Sequence, residues 1–87
     1  MKYQVKIQKK AVKFLKSLNN KERLRIYMAI ELLVENPIPP RARKISEMDD
    51  HYRIRVGDYR IIYQVFSQYL LIEVVRVGFR RDVYRKL

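Results

Sequence analysis

At 87 residues the chain has room for one domain and one core. Hydrophobic residues make up 48% of it, which argues against global disorder, and the absence of cysteine excludes disulfides and thiolate metal sites. The formal net charge of +11 points to a polyanionic partner, either nucleic acid or an acidic protein. The two kinds of base are unevenly placed: residues 1–50 hold eight Lys and four Arg, residues 51–87 seven Arg and one Lys. Arginine's planar fork suits bidentate phosphate binding, so the C-terminal half is the half expected to grip phosphate. The opening "MKYQVKIQKK" has no apolar signal core and no run reaches the roughly 18 apolar residues of a membrane span, so a soluble, cytoplasmic chain is expected.

Tyr3 to Gln8 alternates apolar and polar residues, the pattern of a strand. Ala11, Phe14, Leu15 and Leu18 then recur on one stripe of a helix whose other side carries Lys9, Lys13 and Lys16. Asn19 and Asn20 break that helix and offer a cap to a second, from about Lys21 to Glu35. Leu24, Ile26, Tyr27, Ile30, Leu33 and Val34 cover most of its girth, so it is expected to be well buried against a sheet. The prolines of "NPIPP" stop it.

The segment "YRIRVGDYRIIYQV", Tyr52 to Val65, reads as two strands around Gly57-Asp58, which suits a two-residue II′ turn. That turn pairs Val56 with Tyr59, Arg55 with Arg60 and Ile54 with Ile61, and directly opposed residues share a face. One face then carries Tyr52, Ile54, Val56, Tyr59, Ile61, Tyr63 and Val65, and the other Arg53, Arg55 and Arg60. Tyr69 to Val77 is a last, nearly continuously apolar strand, expected to lie centrally. Gly78 ends it, and "FRRDVYRKL" forms a basic tail. The class is α+β: an N-terminal strand and two-helix hairpin packed on an antiparallel sheet, in one domain spanning 1–87, with the far sheet face open and cationic.

Like charges directly opposed across a strand pair, as Arg55 and Arg60 are, do not favour a sheet, so fold stability gives no reason for them. A phosphate-binding surface does; a solvated face of scattered bases is the plainer alternative. Among nearby strand residues only Glu73 is placed to neutralise them. Most catalytic sets are missing. His51 is the sole histidine, which excludes a two-histidine nuclease, and it reads as a surface residue. Asp49 and Asp50 are sequence neighbours suited to a loop rather than to a two-metal site. Gly57 and Gly78 are the only glycines, so no Gly-rich phosphate loop exists. Arginine with tyrosine remains, a set able to hold a phosphodiester, neutralise developing charge and stack a base. RNA brings its own nucleophile in the 2′-hydroxyl, which a protein needs only to align.

With "YRIRVGDYRIIYQV" and the ending "VGFRRDVYR" in this order, nearly the whole chain resembles the RelE/ParE superfamily of toxin–antitoxin toxins, and the RelE branch more closely. The resemblance implies a compact, barnase-like α+β fold. It also implies an mRNA endonuclease that cuts in the ribosomal A site by 2′-hydroxyl attack, without metal or cofactor, and is held inactive by an acidic, RelB-like antitoxin. The family's catalytic positions fall on Arg53, Arg55, Arg60, Arg80 and Tyr84: Arg60 as the phosphate grip, Arg80 as general acid or charge stabiliser, Tyr84 as the residue that stacks on or orients the substrate. Arginine is a poor proton acceptor, which casts Arg53 and Arg55 as electrostatic stabilisers. Phe79 stands where many relatives have histidine and reads as a stacking surface or a core aromatic. Arg81 and Arg85 neighbour Arg80, and with Lys9, Lys13 and Lys16 they are the expected contacts to RNA and ribosome, a solvated helix face being the plainer alternative for the three lysines. The competing reading within the family is a ParE-like chain that binds DNA gyrase and has no catalytic chemistry. A basic RNA-binding module with neither activity explains the charge but not the tail.

Overall fold

The alternation at the N-terminus, the two amphipathic stretches and the arginine hairpin each become an element in a computed structural model that describes residues 2–79. In chain order these are β1 (Gln4–Ile7), α1 (Lys9–Lys16), α2 (Asn20–Glu35), β2 (Arg43–Lys44), β3 (His51–Val56), β4 (Tyr59–Phe66) and β5 (Leu71–Phe79). The strands form one five-stranded sheet in the order β1-β5-β4-β3-β2. Arg80, Arg81, Tyr84 and Arg85 lie outside the described residues.

The helical hairpin is fastened by polar groups that the sequence supplies locally. The Asn19 side chain accepts from the Glu22 backbone N–H at 2.9 Å and caps α2. Arg23, one turn into α2, donates to the carbonyls of Leu15 at 3.0 Å and Leu18 at 2.6 Å and so ties α2 to the end of α1 and the turn that follows it. Ala11 and Leu15 of α1 and Ile26, Ala29, Ile30 and Leu33 of α2 are buried. They meet Ile54, Ile61, Tyr63, Ile72 and Val74 from one sheet face to make the main core. Burying one such aliphatic side chain contributes about 1.5–3 kcal/mol.

Three features differ from what the sequence led us to expect. First, β1 enters the sheet at its edge and runs parallel to β5, with Gln4 opposite Leu71 and Ile7 opposite Val74, so the sheet is mixed. The helical hairpin carries the chain away from β1 on one side of the sheet, the kind of long connection a parallel pair requires. That leaves β5 an interior strand, while β4 occupies the middle of the order. Second, α2 is not buried around its girth: Leu24, Met28 and Leu32 are 60%, 61% and 68% exposed. A helix with a sheet on one side buries a single stripe, however apolar its remaining positions.

Third, the sheet face away from the helices is not wholly open. Ile62 lies on that face and is completely buried, together with Ile45, beneath the segment joining β2 to β3, and Met48 and Val75 pack beside them. The Ile61-Ile62 doublet breaks the hairpin's alternation, and its second member needs a cover of its own. A register shift lies alongside. Ile62 pairs with Arg76 and Tyr63 with Val74, leaving Val75 as the extra residue of a bulge.

Candidate functional site

The strand pairing assembles the arginines. Gly57 has φ 58° and Asp58 is not among the residues of positive φ, the combination a II′ turn needs. The resulting register sets Val56 against Tyr59, Arg55 against Arg60, Ile54 against Ile61 and Arg53 against Ile62. Arg25 of α2 lies behind the turn: a Cβ placed on Gly57 would stand 2.9 Å from its guanidinium Nη2. Turn and helix are therefore in contact, which fixes where the hairpin ends.

On the face away from the helices, two further arginines join those of the hairpin. Arg43 of β2 is directly opposite Arg53, and Arg76 of β5 is directly opposite Ile62. Gly78 is opposite Arg60, so β5 adds no side chain beside it. The five arginines occupy four adjacent strands. Opposed positions are about 4.5–5.5 Å apart and alternate positions along a strand about 6.8 Å. Arg43 and Arg55 are exposed, Arg53, Arg60 and Arg76 half-buried. The Arg60 Nε is withdrawn from solvent. Planar forks anchored on a rigid sheet suit a phosphodiester, because each fork can offer two parallel N–H donors to anionic oxygens.

Glu73, the expected counter-charge, shares this face but pairs with Gln64 and with Lys6, at a row beyond Ile62 and Arg76. It is not beside Arg55 and Arg60. His51 opens β3, four residues from Arg55 and about 14 Å along the strand. Its Nδ1 is 2.7 Å from the Asp49 carbonyl oxygen, which places the proton on Nδ1.

The tyrosines of the hairpin belong to the other face. Tyr63 is fully buried, donates from Oη to the Pro37 carbonyl at 2.7 Å and stacks on Tyr52 at 5.9 Å. Burial, and then Tyr52, push its phenol well above the ordinary tyrosine value, against a smaller opposing effect of Arg41. Tyr59 is raised as well, by burial first and then by Glu22 and Asp58, with Arg25 opposing. Phe79 is opposite Tyr59 on the helix side, with ring centroids 5.3 Å apart, and meets Phe14 edge-on at 5.6 Å. It is an aromatic at the margin of the core, and it does not stand among the arginines.

The structure thus brings together Arg53, Arg55 and Arg60 and adds Arg43 and Arg76, which reading the sequence had passed over. Both carried a signal: Arg43 alternates with Arg41 in "RARK", and Arg76 precedes Gly78 by two positions. Lys9, Lys13 and Lys16 are exposed on α1, in the helical layer on the opposite side of the sheet. With Ile7 and Val12 they line a shallow groove of about 340 Å³. They form a second basic surface rather than an extension of the first.

Comparison with known proteins places this geometry. Residues 5–84 match the family described as the ParE toxin of the type II toxin–antitoxin system parDE. The chain is 31% identical to a Methanocaldococcus jannaschii protein assigned as toxin RelE1, covering 98% of each chain. It is 35% identical to an Escherichia coli protein assigned as RelE-like toxin, over 97% of this chain and 92% of the other. Among solved structures, the archaeal RelE–RelB complex from Pyrococcus horikoshii contains a chain that superposes with a TM-score of 0.82 at 34% identity. That match covers 92% of this chain and 97% of the other.

Proposed function

The chain belongs to the ParE toxin family of type II toxin–antitoxin systems, on its RelE branch, and from that premise we propose that it is a metal-independent endoribonuclease cutting mRNA in the ribosomal A site. The observation that carries the reading is the arginine face: Arg53, Arg55 and Arg60 on one side of a sheet whose other side is the core.

In this reading Arg60 grips the scissile phosphate. The 2′-hydroxyl of the preceding ribose gives its proton to solvent as its oxygen attacks phosphorus, the bond to the 5′-oxygen breaks and that oxygen takes up a proton, and a 2′,3′-cyclic phosphate and a 5′-hydroxyl result. Charge grows on the non-bridging oxygens as the new bond forms, and Arg53 and Arg55 stabilise it there. Fixed cations of this kind need no reorganisation at the moment of reaction. Arg80, as charge stabiliser or acid toward the leaving oxygen, and Tyr84, as the ring that orients the substrate, complete the set. Arg43 and Arg76 widen the surface that receives the flanking backbone. Lys9, Lys13, Lys16, Arg81 and Arg85 contact RNA of the ribosome, so binding weakens steeply with added salt. The setting is the cytoplasm, and the restraint on the toxin is an acidic antitoxin like the RelB bound to the Pyrococcus chain.

Primer extension on an mRNA in a purified translation system tests this directly. Cuts within the A-site codon that require both ribosomes and this chain are the expected result. An intact message would overturn the reading, and loss of gyrase supercoiling in its place would support the ParE-like alternative.

A further inference from the structure

The exposed side of α2 has an internal symmetry. At 3.6 residues per turn, Lys21, Leu24, Arg25, Met28, Glu31, Leu32 and Glu35 fall within an arc of about 120°, opposite the buried stripe of Ile26, Ala29, Ile30 and Leu33. Leu24, Met28 and Leu32 form one ridge spaced by four, each at least 60% exposed. About Met28 the arc reads as its own complement. Leu24 and Leu32 stand four residues to either side, Arg25 and Glu31 three, Lys21 and Glu35 seven. Apolar is matched with apolar, and base with acid.

We propose that this face is a self-association surface, on which α2 of a second copy of the chain packs antiparallel about a two-fold axis beside Met28. A two-fold interface brings each residue to the height of its symmetry mate. Leu24 then lies at the level of the second copy's Leu32, and Lys21 faces its Glu35. At each end the contact is between Lys21 of one copy and Glu35 of the other, while Arg25 and Glu31 flank the seam on its two sides and leave each end without excess charge. The shallow crossing of helix bundles keeps these ends within reach of long side chains. A parallel arrangement would instead set base against base at one end and acid against acid at the other.

The competing ion pairs on this face are few and exposed. Glu35 is 3.6 Å from Lys2, and Arg25 is 3.7 Å from Glu22, with most of the Lys2 and Glu35 side-chain surface in solvent. Such pairs contribute little and exchange readily. The net charge of +11 on each copy opposes association over long range, and salt screens it beyond about 8 Å at physiological strength. The α2 face, with Lys21 and Arg25 balanced by Glu31 and Glu35, adds no net charge of its own to that repulsion. It lies on the helical side of the sheet, away from the arginines.

Sedimentation of the purified chain across a range of concentrations, at about 0.15 M salt to screen the net charge, tests the surface. The expected result is a monomer–dimer equilibrium that Met28→Glu weakens by more than about tenfold, with an unchanged melting curve. Lys21→Glu and Glu35→Lys are each expected to weaken self-association, by setting acid against acid at positions 21 and 35 in the first variant and base against base in the second. Mixing these two variants restores a dimer containing one of each. A chain that stays monomeric throughout overturns the proposal and leaves the ridge to a helix of the antitoxin. So does a dimer indifferent to Met28→Glu, or a mixture of the two charge variants that forms no heterodimer.

Discussion

In β3 and β4, side chains one position apart go to opposite faces and meet opposite fates. Ile54, Ile61 and Tyr63 are fully or almost fully buried under the helices, while Arg53, Arg55 and Arg60 stand on the other side of the same backbone. The buried face supplies the burial that holds the strands in register, and the register in turn sets Arg55 against Arg60. A pairing with little to recommend it locally is thus imposed by the face behind it. On the outer face Ile62, covered by Ile45 and flanked in its own row by Arg53 and Arg76, lies between the Arg55–Arg60 row and a polar row of His51, Gln64, Glu73 and Lys6.

Substitutions can separate the two faces. The largest effect on folding is expected from Ile61→Ala, a loss of about 2–5 kcal/mol for a fully buried aliphatic side chain, read from denaturant unfolding. Any lost cleavage in that variant should follow its folded fraction. Arg60→Ala sharpens the contrast. It should lower the rate of ribosome-dependent cleavage by about 10²–10³-fold in a primer-extension time course, while circular dichroism still reports a folded protein. Equal loss of activity and fold would mean that the arginine face is structural.

Tyr63→Phe removes the bond to Pro37 and leaves that carbonyl short of a partner, which costs about 1–3 kcal/mol and should leave cleavage per folded molecule unchanged. Gly57→Ala forces a side chain onto a left-handed backbone against Arg25, a loss of about 1–2 kcal/mol visible as a lower melting temperature. The gentlest test is pH. The phenols of Tyr59 and Tyr63 hold their protons above the ordinary value of 10.0. Between that value and the higher folded one, the native state keeps protons that the unfolded chain has released. Stability from these groups is therefore complete below about pH 10 and declines as pH rises further. Tyr63→Phe should make that alkaline decline shallower in thermal melts.

Much of this was legible from the chain. The II′ turn, the pairing of Arg55 with Arg60, the Asn19 cap and the core placement of Tyr59 and Tyr63 all follow from side-chain alternation and turn chemistry within a few residues. Arg43 and Arg76 escaped notice because their membership depends on pairings between distant segments, β2 with β3 and β4 with β5. The exposure of Leu24, Met28 and Leu32 was equally hidden. Hydrophobic girth tells how much of a helix would accept cover, and the number of layers built around it tells how much receives cover.

By itself the sequence determined what is local: which stretches are helix or strand, where the hairpin turns, which of its side chains share a face, and that the charge is held as arginine in the second half. Tertiary structure alone decided that β1 seats parallel to β5, that residues between β2 and β3 close over Ile62, that five arginines from four strands share one face, and that one apolar ridge of α2 stays in water. The division has a physical cause. Turn and alternation preferences act between residues a few positions apart, whereas burial and strand neighbourhood depend on which remote segments come to lie against one another.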